Sequence, residues 1–536
     1  MRRDVSRPAR LLDPGQRRGA SVPRRCDPGS RGHRQARDRR RLRHHRAGRR
    51  QVRRRRGDLE LPRRRLHRVR PRPLERGADG REDRIQLPGR GGPLAPCGGL
   101  RGQGASLRHR RGVAPARPPA LRHRTARRRD AMTANRPACT VIVKPGREDA
   151  EPGRHPWIFK GSIARVMGYH APGDPCAFTT EGGVALGWGY VNTRSLLAGR
   201  IVSLEGPVTR RLLHERLGEA VAARTALGLG DGGPLGRAGE ERTDCYRLVN
   251  SEGDGLPGLV IDRYGTGLVL QFLTAGAERW RQDVIDALTG HLAPTFIYER
   301  SDSRTRSDEG LEAARGLLSG ALTDPVLVRE NGLVYETSPE AGHKTGLYLD
   351  QRENRALVGT LARDRRVLNC FAYTGGFSLT AAAGGAENVV SVDASKSACA
   401  AAERNLRRNG FPEAAGLVQR EDVFRFLRPG RDRYDLVILD PPKFARSQRE
   451  LDGAERGYRE INRLGIDKLA PGGLLLTFSC SQAMNLTRFQ QVAQEAVLAA
   501  GRRARVLRRL SGGPDHPWML GHREGEYLKG LLLLVS

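Results

Sequence analysis

One stretch constrains the fold more than any other: Arg366-Val-Leu-Asn-Cys-Phe-Ala-Tyr-Thr-Gly-Gly-Phe-Ser-Leu-Thr-Ala-Ala-Ala383. It opens with a short apolar run, Val367 to Phe371, reaches the pair Gly375 and Gly376, and passes directly into an alanine-rich helical pattern. That order predicts a buried strand, a tight turn and a helix. In such α/β sheets ligands bind in the crevice beyond the carboxyl ends of the strands. The glycines let backbone approach a ligand without a Cβ in the way. A second strand pattern, Asn388 to Asp393, ends in an acid. Asp393 follows the turn by about twenty residues, the offset at which a carboxylate accepts hydrogen bonds from ribose hydroxyls. The dinucleotide fingerprint Gly-x-Gly-x-x-Gly is absent. The turn carries Asn369, Phe371 and Tyr373 instead, with one hydroxyl and no phosphate cradle. This favours a nucleoside without a pyrophosphate, hence S-adenosylmethionine over a dinucleotide. On this stretch alone, any parallel α/β domain is the competing reading.

The alternation continues. A helix is expected from Ser395, a plausible N-cap, to Arg408. A strand over 416–420 follows, running into Asp422-Val423, where an acid can accept the adenine amino group. A short helix over 423–427 leads to the strand Tyr434–Leu439, which ends in Asp440-Pro-Pro-Lys-Phe444. Next come a helix near 453–469, a strand over 474–479 ending at Cys480, a helix over 486–500, and strands over 504–510 and 527–535. The expected fold class is α/β, a Rossmann-like doubly wound parallel sheet closed by an antiparallel hairpin. Upstream of the first strand lies a polar, glycine-bounded segment, Gly342 to Arg352, leading into a helix over 353–362.

The chain ahead of this sheet has two further textures. Residues 139–206 read as a small β-rich unit with Gly/Pro turns; Arg154, His155, Trp157, Lys160 and Arg194 are candidates for RNA contact by stacking and phosphate binding. For Trp157 and Phe159 a place in the core competes evenly. Residues 207–330 read as a small α+β domain, with helices over 208–235 and 277–290. In it Glu252 and Asp254 stand in turn-forming sequence rather than as catalysts. Residues 331–536 complete the chain.

Residues 1–131 are of another kind. They hold 42 Arg, no Lys, 11 Asp plus Glu, and no Phe, Tyr, Trp or Asn. They therefore carry nearly all of the formal charge of +36. Such a segment buries too little apolar surface to offset chain entropy and is expected to be disordered. A basic arm that holds RNA is one reading. The stronger one is a GC-rich frame not selected as protein, with Met132 as the true start.

No run of 18 apolar residues predicts a membrane span, and no apolar core follows the N-terminal arginines as in a secretory signal. The eight cysteines are scattered, with no Cys-x-x-Cys or Cys/His cluster to hold a metal. Reduced thiols in a cytoplasm are the simplest expectation.

Three strand ends are thus predicted to converge on one crevice. In Asp440-Pro-Pro-Lys-Phe444, Pro441 and Pro442 fix the backbone so that carbonyls face a planar base, and Phe444 can stack on it. Cys480 is the sharper candidate. C5 of cytosine is a poor nucleophile, but a thiolate added at C6 makes C5 enamine-like and able to accept a methyl group. A small buried apolar role is the alternative for Cys480 and the expected one for Cys370.

At these residues the chain resembles a known family. Arg154-His-Pro-Trp-Ile-Phe159, Leu256 to Tyr264, Lys344 to Arg352, Val367 to Phe377, Ser391 to Lys396, Leu439 to Phe444, Phe478 to Ser481 and Glu526-Tyr-Leu-Lys-Gly530 are similar to the methyltransferases that make 5-methylcytosine in 23S ribosomal RNA. The resemblance runs from about Cys139 to Ser536. It implies a PUA domain, a central α+β domain and a Rossmann-like methyltransferase. It implies Cys480 as nucleophile, with Asp440 and Lys443 beside it. A cofactor site would take in Tyr348, Gln351, Asn369, Phe371, Tyr373, Gly375, Asp393, Ser395, Asp422, Val423 and Asp440. The substrate would meet Pro441, Pro442, Phe444, Arg154 and His155. Lys443 stands where many 5-methylcytosine enzymes have a second cysteine, so Cys480 would act alone. Two other readings stay open: guanine methylation at N2 or N7 without a thiolate, and an RNA-binding assembly factor with a vestigial domain. The expected partner is 23S rRNA; the oligomeric state is left open, a homodimer included.

Overall fold

The computed structural model describes residues 137–146, 155–230, 241–428, 430–445 and 448–536. The expectations for residues 1–131 and for Arg154 lie outside them. Three larger sheets and one ribbon follow along the chain. Residues 139–203 form a six-stranded, mostly antiparallel sheet, and 245–320 form a five-stranded one. A two-stranded ribbon, Val326–Glu330 with Leu333–Thr337, precedes the last sheet.

The last sheet positions the site. Its strands are β1 (Arg366–Cys370), β2 (Asn388–Asp393), β3 (Val418–Arg420), β4 (Tyr434–Leu439), β5 (Leu469–Ser479), β6 (Ala504–Leu510) and β7 (Lys529–Val535). They lie in the order β3-β2-β1-β4-β5-β7-β6. β1 to β5 are parallel; β7 is inserted antiparallel between β5 and β6. Side chains alternate across the sheet with period two. Leu368, Cys370, Val437, Leu439 and Leu475 pack on one face with helices Leu451–Asp467 and Leu486–Ala499. Val367, Leu436, Ile438 and Leu476 pack on the other with helices Arg352–Leu361 and Gly376–Ala383. Both faces are buried, as parallel strands require. The chain order reverses between β1 and β4, which opens a crevice at their carboxyl ends.

The structure differs from the sequence reading at several places; the helix expected over 208–235, for one, spans Arg210–Ala226. The strand expected over 416–420 shrinks to Val418–Arg420, because Pro412 starts a turn of helix, Pro412–Gly416. The helix expected over 277–290 is two, Ala275–Arg279 and Arg281–Leu292. The strand expected over 474–479 begins at Leu469, since it pairs with Tyr434 and runs through the glycines. No helix among the described residues is long and apolar enough to cross a membrane.

The loop between β6 and β7 ties the sheets together. Its Asp515, fully buried, accepts two hydrogen bonds from the Arg352 guanidinium at 2.9 Å each and one from the Arg247 amide at 2.9 Å. Its carbonyl takes a bond from Arg224 at 2.8 Å. Asp515→Ala would remove both carboxylate bonds from the buried Arg352 guanidinium and leave it only the contact of its Nε with the exposed Glu353 carboxylate. We expect it to cost about 3–5 kcal/mol, read as a fall in the denaturant midpoint.

Candidate active site

A cavity of about 580 Å³ lies at the carboxyl ends of β1, β2, β4 and β5. Its floor is the turn after β1. There Phe371 and Tyr373 hold φ of 60° and 47°, and Gly375 holds 80°. The left-handed region is strained for aromatic residues. The strain persists because the turn is clamped: the Tyr373 amide donates to Asp393 Oδ2 at 2.9 Å, and the Tyr373 hydroxyl donates to the Gly346 carbonyl at 2.8 Å. A Cβ on Gly375 would stand 2.9 Å from that of Ala402, so only glycine lets the helix behind pack this close.

Of the residues singled out in the sequence, the structure brings thirteen to this cavity: Tyr348, Gln351, Phe371, Tyr373, Asp393, Asp422, Val423, Asp440, Pro441, Pro442, Lys443, Phe444 and Cys480. Others stand behind it. Asn369 is buried in β1 and donates to Ser378 Oγ at 2.9 Å, so its side chain serves the strand–helix contact. Gly375 contributes conformation rather than surface. Ser395 caps the helix Lys396–Arg408 by accepting from the Ala398 amide, and its own amide donates to Asp393 Oδ1 at 2.9 Å. His155 is elsewhere. Its Nε2 is 3.1 Å from Glu524 Oε2, beside a second cavity of about 380 Å³. Trp157 stands there too, its Nε1 donating to Glu252 Oε1 at 2.8 Å and its ring 4.6 Å from that of His522. Neither core nor open surface describes it; Ile158 fills the core instead.

The aromatic of the Asp-Pro-Pro loop is half-buried. The Phe444 ring lies 4.7 Å from that of Tyr458 and 6.3 Å from that of Phe424, and Gly457 leaves room for it. The same tyrosine steadies Cys480. Ser479 Oγ donates to the Tyr458 hydroxyl at 3.0 Å, and Ser481 Oγ sits 3.1 Å from it, both serines fully buried. Cys480 is thereby held between two anchored residues while its own side chain meets the cavity. Among the described cysteines it alone is not buried. Cys370 is core, as expected.

Asp440 is held by a relay. Asn354 Nδ2 donates to Gln351 Oε1 at 2.6 Å, and Gln351 Nε2 donates to Asp440 Oδ2 at 3.1 Å. Burial, and then the charge of Asp350, push the Asp440 carboxyl up to about 7 despite that bond. Asp350 behaves oppositely. Burial alone would raise it, but Lys344, His516, a hydrogen bond from the Tyr527 hydroxyl at 2.6 Å and Arg247 together hold it well below the usual range. Its Oδ1 is buried without a partner. Burial and Asp440 push the Cys480 thiol up, against the pull of Lys344 and Lys443.

Lys344, Asp350, Asn354, Tyr527 and Lys529 are site residues to which the sequence reading gave no role, although all but Asn354 fall in stretches that carry the resemblance. The available signal was position: the first three fall in the glycine-bounded segment before β1 and the helix it enters, the last two at the start of β7.

Comparison with known proteins places the chain in a family. Residues 301–518 match the S-adenosylmethionine-dependent methyltransferase family, and 141–204 match PUA-like domains. The chain is 41% identical over 401 residues to the ribosomal RNA large subunit methyltransferase I of Shewanella amazonensis, covering 74% of this chain and 99% of that one. It is 39% identical over 396 residues to its counterpart from Cronobacter sakazakii, covering 73% and 98%. A crystal structure of a methyltransferase complexed with SAH shares the fold, with a TM-score of 0.63 at 22% identity, over 74% of this chain and 99% of that one.

Proposed function

The chain belongs to the ribosomal RNA large subunit methyltransferase I family, and from that premise we propose that it methylates C5 of a cytosine in 23S rRNA through a bond between Cys480 and C6 of the base. The observation that carries this reading is a juxtaposition. The one described cysteine that is not buried faces the same cavity as the Asp-Pro-Pro loop and the strained turn of β1. A guanine enzyme has no need of a thiol there.

The residues present fit the cofactor. Asp393 ends β2 with lone pairs left over from its two amide bonds and suits ribose hydroxyls. Asp422 and Val423 line the cavity together with Phe371 and Phe424 and would hold the adenine. The unpartnered Oδ1 of Asp350 suits the cationic amino group. When bound, S-adenosylmethionine supplies an electrophilic methyl group. The protein supplies the rest. Pro441 and Pro442 orient the cytosine. Cys480 Sγ adds at C6 as Asp440, protonated below about pH 7, donates to N3. C5 then carries enamine electrons and accepts the methyl. The C5 proton then passes to a water, expulsion of the sulfur restores the C5–C6 double bond, and N3 returns its proton to the Asp440 carboxylate. The PUA-like sheet is the candidate for holding the flanking RNA.

The test uses the full chain, unmodified 23S rRNA and isotope-labelled S-adenosylmethionine, followed by digestion and mass identification of the labelled nucleoside. Labelled 5-methylcytidine is expected. A labelled methylguanosine would overturn the reading and return Cys480 to a structural role.

A further inference from the structure

Lys529 opens β7, opposite Ser479 of β5 in the antiparallel register. It is 5% exposed, whereas lysines are almost never fully buried unless paired. No carboxylate pairs with it among the described residues. Its partners are two backbone carbonyls, Ser481 O at 2.8 Å and Tyr527 O at 2.7 Å. Those residues flank the reactive region on both strands: Ser481 follows Cys480, and Tyr527 leads into β7. A neutral amine has two hydrogens and one lone pair. Both hydrogens are taken by carbonyls, which leaves the lone pair as the amine's one open valence, and the Ser481 carbonyl that holds it belongs to the residue after Cys480.

The charges around the pair act in opposite senses. Burial, and then Lys443, bring the Lys529 ammonium down to about 8, with Cys480 and Glu526 opposing. Burial, Asp440 and Asp350 push the Cys480 thiol up, with Lys344 and Lys443 opposing. An ordinary thiol and an ordinary ammonium lie about two units apart. Here the order is reversed: the ammonium is brought below the thiol, so the amine stands neutral while the thiol still holds its proton, the state a general base needs.

We propose that the Lys529 amine accepts the proton of the Cys480 thiol and so generates the attacking thiolate. The S–H bond breaks, an N–H bond forms on Nζ, and sulfur keeps the electron pair. No net charge is created in the cavity. When the C6–S bond later breaks, the ammonium returns the proton to sulfur. The inference rests on reading Cys480 as the nucleophile.

The experiment measures the pH dependence of iodoacetamide labelling at the Cys480 peptide by mass spectrometry, in the full chain and in Lys529→Met and Lys529→Arg. In Lys529→Met the labelling midpoint is expected to rise by about one pH unit, with the acid limb of the kcat profile moving the same way. Lys529→Arg, a cation that does not give up its proton, is expected not to restore the kcat limb. An unmoved midpoint in a folded Lys529→Met would overturn the proposal. Full rescue of the limb by arginine would overturn it too, leaving charge alone as the role. Should Lys529→Met not fold, the reciprocal measurement decides. Competitive acetylation of the Lys529 amine across pH is expected to show a lower midpoint in Cys480→Ala than in the unaltered chain, and equal midpoints would refute coupling. These labelling readouts do not depend on turnover. A Cys480→Ala enzyme that still made 5-methylcytidine would instead refute the nucleophile reading.

Discussion

Cys480→Ala is expected to lower methyl transfer to cytosine by about 10⁴-fold or more, because on the proposed mechanism it removes the sulfur that activates C5. The change is small in volume, and the anchors of the loop are not touched. Ser479, Ser481 and Tyr458 keep their hydrogen bonds to one another. The cofactor cavity is lined by β1, β2 and β4 as before. S-adenosylmethionine affinity should therefore stay within about twofold by calorimetry, so the loss falls on kcat. RNA carrying 5-fluorocytidine at the target sharpens the test. Fluorine does not leave C5 as a proton does, so the enzyme–RNA bond persists. A denaturation-resistant complex is expected with the unaltered chain and none with Cys480→Ala. Wild-type rates from the alanine enzyme, with 5-methylcytidine as product, would sink the assignment.

Asp440→Asn is expected to lower kcat by about 10²–10⁴-fold, the range for loss of a positioned general acid. Asparagine preserves the bond geometry to Gln351 but has no proton to give. The pH profile separates this from mere repositioning. The acting form of Asp440 is the protonated one, and its carboxyl titrates near 7 because burial and Asp350 oppose ionisation. The fraction of Asp440 in that form falls as pH rises through about 7. The thiolate requirement of Cys480 acts the other way and sets the acid limb, so the profile is a bell. Asp440→Asn should lose the alkaline limb and keep the acid one. An alkaline limb that survives the substitution would assign it to another group.

Much of the site was legible because its parts end strands. Asp393, Asp440 and Cys480 each follow an apolar run of the right length, and parallel strands bring their carboxyl ends to one edge. Local pattern sufficed for them. It did not separate Asn369 and Ser395 from true lining residues, since a residue in or next to a strand end can face the cavity or the helix behind it. It grouped His155 with the substrate residues, and the fold sets it beside Glu524 of the loop between β6 and β7, away from the cavity that holds the others. It passed over Asp350, Asn354 and Lys529. Lys529 reads as the polar start of an apolar strand, and nothing nearby in sequence marks it as the neighbour of Cys480.

The sequence by itself determined the alternation of strand and helix, the sharp turn at Gly375 and Gly376, and the residue types presented at each strand end. These follow from periodicity and backbone preference, which act over a few residues. The tertiary structure decided which of those residues share a cavity and in which protonation state they stand. Inserting β7 between β5 and β6 sets Lys529 beside Cys480. Burial next to Asp350 raises Asp440, and a cluster of cations lowers Asp350. Both outcomes depend on desolvation and on charges that are mostly remote along the chain, such as Asp350 for Asp440 and His516 and Arg247 for Asp350, and those distances exist only once the chain has folded.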